Sequence, residues 1–219
     1  MLHIVYGGSA SGKSSYAESF AMSLQGDGRL LYIATMYPYK WNTTEIDPET
    51  MQRINRHRAM RADKGFDTVE CYRHVEHIVA KRQDVLLLEC MSNLLANEMY
   101  LEPDDGGLAE PHAEAQTVSE VEKAGTDCNT GSDMLEAQAM SPMSEKIVQA
   151  LVDLSARVQE LVIVTNDVFS DGGSLTYDES TREYVKNLAE INCALAREAA
   201  TVTEVVCGIL VKIKGDKQP

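Results

Sequence analysis

Short apolar runs alternate with amphipathic stretches along almost the whole chain. Leu2-His3-Ile4-Val5-Tyr6 is short, apolar and β-branched and stops at Gly7-Gly8, which predicts a first strand. From about Lys13, residues Tyr16, Ala17, Phe20, Ala21 and Leu24 share one helical face, and Gln25 to Arg29, with Gly26 and Gly28, ends that helix. Leu30 to Thr35 reads as a strand, 36–48 as irregular, Pro48 to Ala62 as a helix and Phe66 to Cys71 as a short strand. Tyr72 to Lys81 reads as helical, Asp84 to Cys90 as a buried strand ending in a carboxylate, and Met91 to Met99 as a helix leading away. The pattern resumes with a helix from near Ser144 to Ala156, a strand from Glu160 to Thr165 and a loop from Asn166 to Gly173. Ser180-Thr181-Arg182-Glu183 fits a capping box opening a helix whose Tyr184, Leu188, Ile191 and Leu195 form a core stripe. Val202 to Ile213, broken by Gly208, closes the chain as one strand or a strand pair.

Strands alternating with helices imply right-handed crossovers. The expected class is α/β, with a mainly parallel sheet carrying helices on both faces. No internal repeat is visible. The 219 residues fit one domain, 1–219, large enough to bury a core without disulfides.

Charge changes this picture in two places. The chain carries 20 basic and 34 acidic side chains, a net charge of −14. Nucleic acid and anionic lipid are therefore not expected partners. Residues 102–145 hold eleven acidic groups against Lys123 alone, which is −10 of that −14. With Pro103, Pro111, Pro142 and few large apolar residues, about 102–143 reads as an acidic, mobile insertion. The opposite inversion lies between Arg53 and Lys64, where Arg53, Arg56, Arg58, Arg61 and Lys64 face one acid, Asp63. The five cysteines form no C-x-x-C pair, no apolar run approaches the ~18 residues of a membrane helix, and the start of the chain shows no secretory pattern. A cytoplasmic protein is the expectation.

Gly7-Gly8-Ser9-Ala10-Ser11-Gly12-Lys13-Ser14 fits G-x-x-x-x-G-K-[ST] between a predicted strand and a predicted helix. Glycines let the backbone wrap a phosphate so that successive N–H groups point inward, and the following helix adds its positive end. Lys13 then reaches the β/γ-phosphates and the Ser14 hydroxyl ligates Mg²⁺. The bland reading is a Gly/Ser turn without a ligand. Glu89, at the end of a buried strand, is placed to hold the Mg²⁺ shell, or else caps the next helix. Asp167 is a weaker candidate. Asn166-Asp167-Val168 is not the N-K-x-D pattern that reads guanine in GTPases.

His57 shares a helix face with Arg53 and Arg61. A cationic helix around one histidine suits a polyphosphate, and a histidine can attack phosphorus as a nucleophile. A solvated basic face bridging to the acidic tract fits equally well. His74 and His77 have metal-like spacing but no further ligands nearby, and read as an ordinary helix face. Tyr37, Tyr39 and Trp41 either contact a flat ligand or pin their loop.

Taken together, Val5 to Ser14, Tyr32-Ile33-Ala34-Thr35, Arg53-Ile54-Asn55-Arg56-His57-Arg58, Thr68-Val69-Glu70, Leu86 to Cys90, Val164 to Val168 and Gly208 to Lys214 occur in the order seen in one family. The sequence resembles the bifunctional adenosylcobinamide kinase/adenosylcobinamide-phosphate guanylyltransferases of cobalamin biosynthesis. The resemblance spans nearly the whole chain outside 102–143, and the R-I-x-x-H element with the V-x-I-K tail is its most specific part. It implies phosphorylation of the aminopropanol hydroxyl of adenosylcobinamide by ATP or GTP. Transfer of GMP from GTP to that phosphate, carried on His57, then gives adenosylcobinamide-GDP. It maps nucleotide contacts onto the phosphate loop, Ala34, Thr35, Met36, Arg58, Ala59, Met60, Arg61, Glu70 and Glu89. A RecA-like P-loop fold and a homotrimer belong to the same resemblance. Two rivals remain at the level of sequence: a P-loop kinase for another small alcohol, and a non-enzymatic nucleotide sensor docking through the acidic tract.

Overall fold

The computed structural model describes residues 1–101, 140–168 and 177–215. In chain order the elements are β1 (Leu2–Gly7), α1 (Lys13–Leu24), β2 (Leu30–Ala34), α2 (Pro48–Arg61), β3 (Asp67–Glu70), β4 (Val85–Glu89) and α3 (Met91–Tyr100). After them come α4 (Pro142–Arg157), β5 (Glu160–Asn166), α5 (Glu179–Glu198), β6 (Thr201–Val206) and β7 (Ile209–Lys214). The strands form one seven-stranded sheet in the order β3-β2-β4-β5-β1-β6-β7. All neighbours are parallel except β6 and β7, which pair antiparallel. The α/β class with a mainly parallel sheet is the one expected.

Alternation along the central strands sends neighbouring side chains to opposite faces. Leu86, Leu88, Leu161 and Ile163 pack with Leu94 and Leu95 of α3, Leu151 and Leu154 of α4, and Leu188 and Ile191 of α5. Leu87, Val162, Val164 and Val5 point the other way, onto Ala17 and Ala21 of α1. Two alanines let α1 sit close to the sheet, so the phosphate loop ahead of it is held between two rigid elements.

Three expectations are corrected. Tyr72 to Lys81 is not a helix; only a 3-10 turn forms at Val75–His77. His74 takes a left-handed backbone, φ 56°, and donates its N–H to Glu98 at 2.7 Å, while Val75 and Ile78 are buried in the core. Tertiary burial at a three-residue spacing replaced the longer helix. The α5 cap is Asp178, whose carboxylate accepts the Thr181 N–H at 2.7 Å; Ser180 instead donates to the Tyr100 hydroxyl. α4 begins at Pro142, capped by Ser141, two residues earlier than its apolar pattern shows. The closing segment is a strand pair, turning at Cys207 and Gly208, both with positive φ. The acidic insertion read at 102–143 lies outside the described residues up to 139, as does most of the loop from Asn166 to Gly173.

Candidate active site

Five parallel strands end side by side: Gly7 pairs with Asn166, Ala34 with both Glu70 and Glu89, and Glu89 with Val164. Ligands of open parallel sheets bind beyond such carboxyl ends. A cavity of about 490 Å³ opens there, within the range of small-molecule sites.

The loop from Gly7 to Ser14 forms its floor. A Cβ on Gly7 would meet the Val205 carbonyl oxygen at 2.6 Å, and Gly12 has φ 94°, a left-handed conformation costly for other residues. No side chain caps α1, so the helix leaves its first N–H groups to a ligand. Lys13 is buried and donates to the Gly8 carbonyl at 3.0 Å, folded over the loop it serves. Ser14 Oγ donates to Glu89 Oε1 at 2.5 Å. Glu89 Oε2 is buried without a hydrogen-bond partner among the described residues. Burial pushes the Glu89 carboxyl up, and the Ser14 hydrogen bond opposes that in part. Asp167, the weaker candidate, is engaged by the Tyr6 hydroxyl.

The opposite wall is α2. Asp47 caps it, accepting the Thr50 N–H, and Pro48 supplies the first helical position. Arg53, Ile54, His57 and Arg61 recur at helical spacing and line the cavity. So the basic face looks onto the phosphate loop. The helix buries only Arg61. The Arg61 guanidinium lies 3.4 Å from the centre of the Tyr32 ring, and its buried Nε has no hydrogen-bond partner among the described residues. Partial burial, then Arg61, Arg53 and Arg56, hold the His57 imidazole below its ordinary value of 6.5.

Of the residues singled out from sequence, Ser9, Ala10, Lys13, Ser14, Ala34, Met36, His57, Arg58, Arg61, Glu70 and Glu89 line this one cavity. Gly7, Gly8, Ser11 and Gly12 shape the loop beneath it. Thr35 is fully buried behind the wall, where its hydroxyl accepts the Cys90 N–H at 2.8 Å. Ala59 and Met60 do not line it, and Met60 is 59% exposed. Glu70 is tied on both oxygens, by Arg58 and by the Tyr72 hydroxyl. Tyr32, Tyr72, Ser92, Asn93 and Asn166 also line the cavity. Tyr72 and Asn166 sit beside strand ends, which is a readable cue. Tyr32, inside a strand, carries none.

A model of the family cobinamide kinase / cobinamide phosphate guanyltransferase matches residues 3–213, nearly the whole chain. The chain belongs to this family. Cobinamide kinase and cobinamide phosphate guanylyltransferase activity is what membership implies, and both use nucleoside triphosphates. No curated protein matches the chain significantly. Among solved structures, the crystal structure of the flagellar accessory protein FlaH from Methanocaldococcus jannaschii is similar with a TM-score of 0.43 at 13% identity, covering 99% of this chain and 81% of that one. For a cobinamide kinase and guanylyltransferase, the cavity offers a phosphate cradle, a lysine, four arginines and one imidazole around a single space. No helix among the described residues is long and apolar enough to cross a membrane.

Proposed function

We propose that the protein phosphorylates the aminopropanol hydroxyl of adenosylcobinamide with ATP or GTP, then transfers GMP from GTP to that phosphate through a guanylyl-histidine at His57. The observation that carries this reading is the opening of His57 and the phosphate loop into the same cavity.

In the kinase step the loop N–H groups and Lys13 hold the triphosphate, and the substrate oxygen attacks the γ-phosphorus, losing its proton as the nucleoside diphosphate leaves. Arg58 and Arg61 balance charge on the phosphate oxygens. In the transfer step a neutral His57 nitrogen attacks the α-phosphorus of GTP. The bond to the β-phosphate oxygen breaks, and pyrophosphate departs. An oxygen of the adenosylcobinamide phosphate then attacks the same phosphorus, forms the diphosphate link and frees the imidazole. The lowered His57 pKa keeps that nitrogen unprotonated near neutrality.

The unpartnered Glu89 Oε2 beside the Ser14 hydroxyl fits a hard divalent cation, so these two residues are proposed to hold Mg²⁺. Bound there, Mg²⁺ neutralises phosphate charge. A homotrimer belongs to the same reading; the exposed Ile209, Leu210, Val211 and Ile213 of β7 support a subunit contact, and sedimentation tests it.

GTP labelled on its α-phosphate tests the transfer. The protein takes up acid-labile label, and His57→Ala takes up none while still phosphorylating adenosylcobinamide. Absence of label on the unsubstituted protein defeats the transferase half. A kinase for another alcohol gives no adenosylcobinamide product at all.

A further inference from the structure

The aromatic residues between β2 and α2 stand mostly outside the nucleotide cavity. Trp41 is 52% exposed, and it lines a second, open recess of about 510 Å³ with Ala96, Tyr100, Thr181 and Tyr184. We propose that this recess is the acceptor subsite. It takes the corrin macrocycle of the substrate, a wide flat ring, while the arm bearing the reactive hydroxyl extends into the nucleotide cavity. The proposal rests on the function assigned above and adds where the acceptor binds.

Three features carry it. The first is chemistry. Among the described residues the recess is lined by three aromatic rings, an alanine and a threonine, none of them charged, whereas the nucleotide cavity is rich in arginine. Phosphate favours the second, and a flat ring favours aromatic faces in the first. The faces are held in place. The Tyr100 hydroxyl donates to the Ser180 carbonyl at 3.1 Å, and the Tyr184 hydroxyl donates to the Ser92 carbonyl at 3.2 Å. Trp41 meets Tyr100 edge to face at 6.2 Å.

The second is a shared floor. Ser92 lines the nucleotide cavity, and Ala96 and Tyr100, four and eight residues on along α3, line the recess. Eight residues of helix span about 12 Å, a separation suited to a substrate whose reactive group sits on an arm. The third is a continuous wall. Tyr72, of the nucleotide cavity, contacts Tyr37 at 5.4 Å, Tyr37 contacts Trp41 at 6.4 Å, and Trp41 contacts Tyr100. Adjoining sites with one apolar end and one phosphate-binding end match an acceptor that is a ring at one end and an alcohol at the other.

Equilibrium dialysis of adenosylcobinamide, read by corrin absorbance, tests this on the full-length protein and on Trp41→Ala, Tyr100→Leu and Trp41→Phe. Trp41→Ala and Tyr100→Leu each weaken corrinoid binding about ten-fold, the scale of losing one stacking face. Trp41→Phe keeps most of it. GTP binding and α-phosphate labelling stay as in the unsubstituted protein. Corrinoid binding unchanged in Trp41→Ala and Tyr100→Leu overturns the subsite and leaves the function standing. Loss of GTP binding with corrinoid binding intact assigns the recess to the nucleotide base and also overturns it. Equal loss in Trp41→Phe and Trp41→Ala removes the stacking argument. An unsubstituted protein that binds no corrinoid ends the function and the subsite together.

Discussion

At Gly7 one methyl group decides whether the phosphate loop can close. The Val205 carbonyl and the Ser11 hydroxyl stand where a Cβ would go, at 2.6 and 2.8 Å. Gly7→Ala is expected to abolish measurable GTP binding and to lower stability by roughly 1–3 kcal/mol, read by dialysis and thermal melting. His57 gives a pH prediction. Burial and three arginines lower its pKa, so the neutral imidazole, the form the proposed transfer needs, survives into more acidic solution than a free histidine allows. The acid limb of single-turnover labelling should therefore lie below pH 6.5, the ordinary value. Arg53→Gln with Arg56→Gln removes positive charge, raises the His57 pKa and moves that limb upward. An unmoved limb disproves the electrostatic cause. Both residues stood out as candidates because their signals are local: a loop needs glycines at set spacings, and a charge inversion shows in twelve consecutive residues. The stacking of Arg61 on Tyr32 was not legible, since it joins residues twenty-nine positions apart with no pattern between them.

Helix α2 is held by polar contacts rather than a core. It buries one residue, Arg61, and Lys64 just beyond it pairs with Glu18 of α1. Asp47→Ala deletes its cap. The expected outcome is faster hydrogen exchange in the first turn of α2 and slower His57 labelling, with the melting temperature of the sheet little changed. Unaltered exchange at 48–51 would show that the cap is dispensable. The helix itself was read from about Pro48 to Ala62, and it spans Pro48–Arg61; its Asp47 cap came only with the structure. The direction its basic face looks was not readable, because a polar helix has no apolar stripe to orient it. The same limit explains Tyr72 to Lys81, where propensity favoured a helix and the burial of Val75 and Ile78 imposed a turn.

On the scale of the whole molecule, one sheet supports both proposed reactions. Leu161 is fully buried in β5, between the strand that ends in the phosphate loop and the strand that ends in Glu89. Leu161→Ala should cost about 2–5 kcal/mol and lower kinase and transferase activity in parallel as temperature rises. Urea denaturation with both assays checks this, and separate losses would argue for two independent units. The alternation of apolar strands and amphipathic helices determined an α/β sheet, while the glycine motif and the local charge inversion marked the loop and His57 as candidates, because each depends on residues close in sequence. It took the folded arrangement to show that His57 and that loop open into one cavity, that Tyr32 joins them, and that an aromatic recess adjoins it. Those relations depend on which strand ends lie side by side, and strand order arises from packing across the sheet, which no local run of residues encodes.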